Sequence, residues 1–445
     1  MANTYLTRTF SAGNRKTGTI SVWLKRNDLA ATQNIFSTWN TSANGYTSAI
    51  INISSSGRIG LFNYTADGTS THTEFQSNAR FRDVSGWSHI VFSWDTTLST
   101  ASDRYKLYVN GERITSFSTA TYPTLNEDLY FDIGGSSNPV SIGSEHAGGG
   151  GGYFNGLMSH YHHTDGTAYD ASYFGETDAT TGEWKIKTSP SVTYGNNGFF
   201  ILKDGNSVTD QSGNGNNFTN PGGTITNTED NPSNVFATMN PLANYWSGVA
   251  FAYGNTQISP TNNKGGATST LAIPSNNGKI YVEAKMHEYI QDERFYFGIM
   301  PYEFKEANDP VNGANKMIGL SGFIGNIYAN NSSINSFYGQ NFTSPANWEG
   351  TLAMAVDLTS STKTIAFSVN GAWITGTNAT STDFSNALKV DITSYLSLSA
   401  FWNIAFGNGN STGHPGTIRM NFGNGYFGTT AVSSAGTNAS GIGIF

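Results

Sequence analysis

Apolar and polar residues alternate with a period of two along most of this chain. In TISVWLK, Ile20, Val22 and Leu24 share one face. In WSHIVFSWD, Ile90, Phe92 and Trp94 share one face, and His89 and Val91 point the other way. KIYVEAKM sets Ile280, Val282, Ala284 and Met286 against Lys279, Tyr281, Glu283 and Lys285. That pattern predicts a half-buried strand with one wet face. RFYFGIM, TLAMAVDL, TIAFSV and TIRMNFG repeat it. Helical periodicity is nearly absent. Many short strands with Gly and Asn between them predict an all-β fold, sandwich or barrel.

KLYVNGERI and AFSVNGAWI each place Asn-Gly between β-rich runs, at Asn110-Gly111 and Asn370-Gly371. Asn-Gly supplies the positive φ angles of a two-residue type I′ turn, so each predicts a hairpin. Their separation of about 260 residues suits one hairpin in each of two large sandwiches. Residues 204–234 are rich in Gly, Asn, Asp and Pro and poor in apolar anchors, which marks the boundary between the two. The glycine run from Gly148 to Gly152 lies between strand-like stretches and reads as a loop inside the first domain.

Composition narrows the function. The chain has 445 residues, and charged residues make up 12%, about half of what is typical of soluble domains. Polar surface must therefore come from Ser, Thr, Asn and Gly. Net charge is −8 with no Lys/Arg run, which argues against a nucleic-acid footprint. There is no cysteine, which excludes disulfides, thiol catalysis and Cys-bound zinc. No apolar run is long enough to span a membrane, so membrane insertion is not expected. The opening MANTYLTRTF lacks the apolar stretch of a signal peptide.

WSHIVFSWD, RYKLYVNGERI, SIGS and YFNGLMSHYHHTDGTAYDASYFGE together resemble a laminin G-like or pentraxin-like module of the concanavalin A-like lectin/glucanase class. GKIYVEAKM, LAMAVDLTSSTKTIAFSVNG and MNFGNGYF resemble a SPRY-type sandwich. The expected fold is thus all-β, with two tandem jelly-roll-type antiparallel sandwiches at 1–222 and 223–428 and a Gly/Ser-rich tail at 429–445. YLTRTFSAGNRKTGTISVWLKR, YFGETDATTGEWKIK, DQSGNGNNFT and NPSNVFATMNPL, in that order, resemble structural proteins of tailed bacteriophages, marine ones especially. The resemblance implies a virion protein made in the host cytoplasm and carried on the particle surface, at the tail or over the capsid. A tail fibre or appendage binding host-surface polysaccharide leads. A capsid decoration without ligand and a jelly-roll polysaccharide hydrolase are the alternatives. Other virion proteins and further copies of itself, as a trimer in a fibre, are the implied partners. Calcium is a possible cofactor by the same resemblance, but no Asp-x-Asp-x-Asp spacing locates it.

Catalytic text is thin. A retaining glucanase needs two carboxylates about 5–5.5 Å apart in one cleft. Glu176-Thr177-Asp178 and Glu183 have the wrong spacing and read as a solvated turn, and Glu127, Asp128 and Asp132 form no alternating set. No serine elbow or phosphate loop is visible. The chain is expected not to be an enzyme. The most metal-like text is His160-Tyr161-His162-His163-Thr164-Asp165. There His160 and His162 would share one strand face and Asp165 would add an oxygen. The same text also suits a polar edge strand with histidines facing solvent or a neighbouring subunit. Sugar platforms are sought among loop aromatics: Trp39, Tyr46, Tyr153, Tyr328, Tyr338 and Trp348, with Tyr64 and Trp246 beside them. Each of these also suits core or interface packing.

Overall fold

A computed structural model describes the chain except for residues 1–2, 43–44, 66–69, 133–138, 147–149, 204–206, 226–227, 229, 246–247, 262–263, 288–293, 304–315, 322–325, 330–331, 337–349, 377–378, 410–415, 428–429, 432–435, 438–442 and 445. The chain forms two compact units, Met1–Val235 and Phe236–Phe445.

The first unit runs through β1 (Tyr5–Thr9), β2 (Thr17–Arg26), β3 (Gln33–Ser42), β4 (Gly45–Ile53), β5 (Ile59–Thr65), β6 (Ser70–Ser77), β7 (Ser88–Asp95), a one-turn helix Ala101–Arg104, and β8 (Tyr105–Val109). It continues with β9 (Glu112–Ile114), β10 (Phe117–Thr121), β11 (Pro139–Ile142), β12 (Gly156–Asp165), β13 (Gly175–Thr177), β14 (Trp184–Ile186), β15 (Phe199–Ile201) and β16 (Thr219–Gly222). Eight strands make a large sheet in the order β10-β6-β5-β4-β3-β11-β1-β16. Six make a smaller one, β15-β12-β2-β7-β8-β9. Every recorded pairing in the two sheets is antiparallel. Their inner faces close on one core. Ile20, Val22 and Leu24 of β2 and Ile90, Phe92 and Trp94 of β7 meet Ile51, Leu61 and Phe75 from the large sheet. The alternation in the sequence therefore selects the inward residues, and burial of these side chains is the driving term.

The outer face of the small sheet is buried as well. Thr19, Ser21 and Lys25 of β2 and His89 of β7 are each 0% exposed. A third layer, residues 166–194 with the β13–β14 hairpin, covers it. Val91, Ala171 and Phe174 form its apolar centre, flanked by Tyr108, Tyr169, Trp184 and Val192. Trp184 lies so close over Gly111 and Gly175 that a Cβ at either would sit 2.5 Å from the ring. Residues 223–235 stay with this unit: Ile225 packs on the core, and Asp230 binds Lys25 at 2.8 Å with both side chains buried.

In the second unit the strands are β17 (Met239–Tyr245), β18 (Val249–Ala252), β19 (Gln257–Pro260), β20 (Lys264–Pro274), β21 (Lys279–His287), β22 (Arg294–Pro301), β23 (Ile318–Ser321), β24 (Asn326–Ala329) and β25 (Ser332–Ser336). Next come β26 (Thr351–Asp357), β27 (Thr364–Val369), β28 (Ala372–Gly376), β29 (Ala379–Ser381), β30 (Val390–Asp391), β31 (Phe401–Gly409) and β32 (Thr417–Asn421). They form sheets β17-β20-β31-β22-β23-β24-β25 and β18-β19-β32-β21-β26-β27-β28-β29, with β30 on β27. Val282, Ala284 and Met286 point into the core with Phe297, Phe367, Trp402 and Phe406. After residue 428 the described residues make two short pairings: Thr430–Ala431 with Tyr426–Phe427, and Gly436–Thr437 with Gly443–Ile444. The fold is thus all-β, two antiparallel sandwiches in tandem. No described helix is long and apolar enough to cross a membrane.

Both Asn-Gly hairpins are present. Asn110 and Gly111 have φ of 49° and 83°, and Asn370 and Gly371 have 50° and 77°. Val109 pairs with Glu112, and Val369 with Ala372, so each loop has two residues.

Candidate functional site

On the outer side of the large sheet, β3, β4 and β5 lie side by side. Trp39 stands opposite Ser48, and Ser48 opposite Tyr64. Ala49 of β4 points into the core, so Ser48 points out with the two aromatics. Two strand spacings place Trp39 and Tyr64 about 10 Å apart across a small residue. Phe62 stacks on Tyr64 with ring centres 5.7 Å apart. These aromatics are half-buried, neither core nor free.

After β11, residues 144–146 come onto this face. The His146 backbone N–H donates to Ser37 Oγ at 3.2 Å, and Ser37 Oγ donates to the Ser144 carbonyl at 3.0 Å. His146 then lies against Trp39, ring centres 3.6 Å apart, with Nε2 3.1 Å from Glu145 Oε1. Burial lowers the His146 pKa and raises that of Glu145. The turn needs left-handed backbone at Gly151 and Gly152, and a Cβ at Gly152 would meet Asn34 Nδ2 at 2.2 Å. Flat aromatic faces beside one imidazole and one carboxylate suit a polar ligand with apolar ring faces, the chemistry of a sugar. Glu145, His146 and Phe62 were not among the sequence candidates. The adjacent glycine run was the available signal.

The other candidates are scattered. Tyr153 pairs with Tyr5 at 6.1 Å, beside β1 of the same sheet. Tyr328 is in the second unit, packed on a cluster of Tyr245, Tyr296, Met300 and Met317. Tyr46 lies on β4 opposite Thr41, its side chain outside the described residues. Tyr338, Trp348 and Trp246 also fall outside them.

The histidine segment is β12, an interior strand between β15 and β2. Its pairing with β2 jumps from Ser159–Trp23 to His162–Ser21, a bulge with His160 at φ 47°. Both His160 and His162 then lie against Phe200, at 5.7 and 3.9 Å. His160 Nδ1 is 2.8 Å from Ser159 Oγ, and His162 Nδ1 is 3.0 Å from the Tyr194 hydroxyl. Asp165 is at the strand end, accepting backbone N–H groups of Asn14 at 2.6 Å and Asn197 at 3.0 Å. Among the described residues no three His, Asp or Glu side chains assemble for a metal. His163 faces the core instead, with Nε2 2.8 Å from Asp132 Oδ1 and both residues fully buried. Desolvation raises the Asp132 pKa.

His89 lies under the covering layer. The Trp184 indole N–H donates to its Nδ1 at 3.0 Å, and its Nε2 is 2.8 Å from Ser21 Oγ. Indole nitrogen only donates, so Nδ1 accepts and Nε2 carries the proton. Trp23 stacks on the ring at 4.8 Å. Desolvation pushes the pKa down to about 3. Glu176 and Asp178 frame the β13–β14 turn. Asp178 accepts from the Thr180 and Thr181 backbone N–H groups and binds Lys185 at 2.7 Å.

Residues 2–171 match a family model of laminin G type, described as the concanavalin A-like lectin/glucanases superfamily. The first unit therefore contains a laminin G-like, concanavalin A-like domain. No curated protein matched the chain. Solved structures similar to it include the native heptameric SAP-like pentraxin of Limulus polyphemus, at 18% identity over 38% of this chain and 72% of that one, TM-score 0.27. Domains LG4-5 of the mouse laminin alpha1 chain show 11% identity over 94% and 84%, TM-score 0.28. Tailspike protein 2 of an Escherichia coli O157:H7 bacteriophage shows 13% over 38% and 22%, TM-score 0.26.

Proposed function

We propose that the chain is a non-enzymatic attachment protein on the surface of a tailed-phage particle, at a tail fibre or appendage. It binds host-surface polysaccharide through the outer face of the large sheet in its first unit. The carrying observation is the row Trp39–Ser48–Tyr64 with His146 and Glu145 folded onto it. The lectin-type domain in residues 2–171 supports the same reading. The second unit is a SPRY-like sandwich that docks the protein to other virion components. Several copies on a symmetric particle convert weak single contacts into avidity.

The test is titration of surface polysaccharides into the full chain and into Trp39→Ala. Binding should weaken about tenfold or more, which is ~1.4 kcal/mol, and no new reducing ends should appear. Equal affinity in the variant refutes the site. Release of reducing ends refutes the non-enzymatic assignment.

A further inference from the structure

The chain is poor in charge, yet Arg26, Arg58 and Arg82 lie together at one end of the first unit, with Arg80 next to them in the chain. The end of β2, the β4–β5 turn and the segment after β6 bring them together. Phe81 N–H donates to the Gly57 carbonyl at 2.7 Å, which ties the last two loops to each other. The guanidinium groups are held by neutral oxygens. Arg26 Nη1 donates to the Phe81 carbonyl at 3.1 Å and Nε to Gln33 Oε1 at 3.3 Å. Arg82 Nε and Nη2 both donate to the Ser56 carbonyl, at 3.4 and 3.3 Å. Arg58 Nη1 donates to the Ser77 carbonyl at 3.3 Å.

No described carboxylate comes within ion-pair distance of any of the four. Asp28 acts on Arg26 only through its field, and Asp83 Oδ1 accepts from Ser85 N–H and Oγ–H. Arg26 is 2% exposed, and its Nη2 has no hydrogen-bond partner. Arg82 and Arg80 are exposed and Arg58 is half-buried, so the cluster grades from surface to interior. A buried guanidinium near a second one, with one spare donor and no carboxylate in contact, is a costly arrangement that an oxyanion relieves. Forked N–H donors match carboxylate and sulfate oxygens two at a time.

We propose that Arg26, Arg58 and Arg82 form a binding site for the oxyanion of an acidic polysaccharide, a uronate carboxylate or a sulfate ester. The polysaccharide part rests on the function proposed above, whereas the anion site does not.

The experiment uses the full chain, Arg58→Ala/Arg82→Ala and Trp39→Ala. Thermal unfolding is followed with inorganic sulfate, with glucuronate and with chloride at matched ionic strength. Sulfate raises the melting temperature of any protein by exclusion from its surface, so the difference between wild type and the arginine variant is what counts. The wild type should gain an extra shift that the arginine variant lacks and Trp39→Ala keeps. A response to sulfate alone identifies a sulfate ester, and one to glucuronate alone a uronate. The arginine variant should also bind dextran sulfate or polygalacturonate at least tenfold more weakly. Equal shifts and equal polyanion binding in wild type and arginine variant overturn the proposal. If no polysaccharide binds but the arginine-dependent anion shift persists, the anion site stands and the glycan reading fails.

Discussion

Acidification should unlock the first unit through His89, and the size of the effect follows from its surroundings. In the folded chain the ring is neutral. Its Nδ1 accepts from Trp184 and it lies against Trp23. Protonating Nδ1 would set two donors against each other and bury a charge under two indoles. The folded pKa is accordingly pushed down to about 3, from 6.5. The sign is set by which state takes the proton first. The unfolded chain titrates near 6.5, so the stabilisation is complete above that pH and is lost as pH falls from there toward 3. Each pH unit in that window removes about 1.4 kcal/mol, so pH 5 should cost about 2 kcal/mol relative to pH 8. His162, buried and lowered for the same reason, adds in the same direction. Denaturant unfolding at pH 8, 7, 6 and 5 measures the loss, and the ring C–H signals of His89 give its native titration directly. A flat stability between pH 8 and 5, or a native His89 titrating near 6, would refute the account.

Two further outcomes test the fold. Asn110→Pro and Asn370→Pro should each destabilise their unit by about 3 kcal/mol or more, because proline holds φ near −65° where the chain needs about +50°; unchanged melting in either variant would remove that hairpin. Lys25→Met leaves Asp230 buried without its cation and should cost about 3–5 kcal/mol, while Lys25→Met/Asp230→Leu should recover most of it; denaturant midpoints decide, and a double variant no better than Lys25→Met would refute the stranded carboxylate as the cause of the loss.

The inward faces were legible because burial selects alternate positions in a strand. Ile20, Val22 and Leu24 could be assigned from TISVWLK alone. The opposite face of the same strand could not. Ser21, His89 and His162 look like wet positions, since nothing in their periodicity distinguishes solvent from a covering layer. Residues 166–194 provide that layer without regular alternation. Besides the apolar cluster around Val91, they attach through scattered polar contacts such as Tyr169 N–H to Thr19 Oγ1 at 2.8 Å, Thr19 Oγ1 to the Thr167 carbonyl at 3.0 Å, and Trp184 to His89. The bulge at His160 was hidden for a related reason, because an extra residue shifts register without changing composition. In the candidate site, Trp39 and Tyr153 could be singled out as aromatic. Their separation across the sheet depends on strand order, which alternation does not encode.

The abundance of short polar side chains has a structural meaning that alters how the motif resemblance is weighed. In DQSGNGNNFT, Asp210 accepts from the backbone N–H groups of Phe200, Ser212 and Asn216 at 2.8–2.9 Å. Asn216 donates to the carbonyls of Asn196 and Gly198, and Asn214 to those of Gly195 and Gly198. Arg8 of β1 donates to the Asn217 carbonyl at 3.1 Å. These groups pair main-chain atoms that have no strand partner at the end of the sandwich, where an unpaired buried group would cost about 1–3 kcal/mol. The polar composition is therefore spent partly inside the fold rather than on its surface. A motif whose residues satisfy the backbone transfers fold between proteins. Recognition has to be sought where side chains are grouped for something other than pairing the backbone, at Trp39 with His146 and at the arginine end.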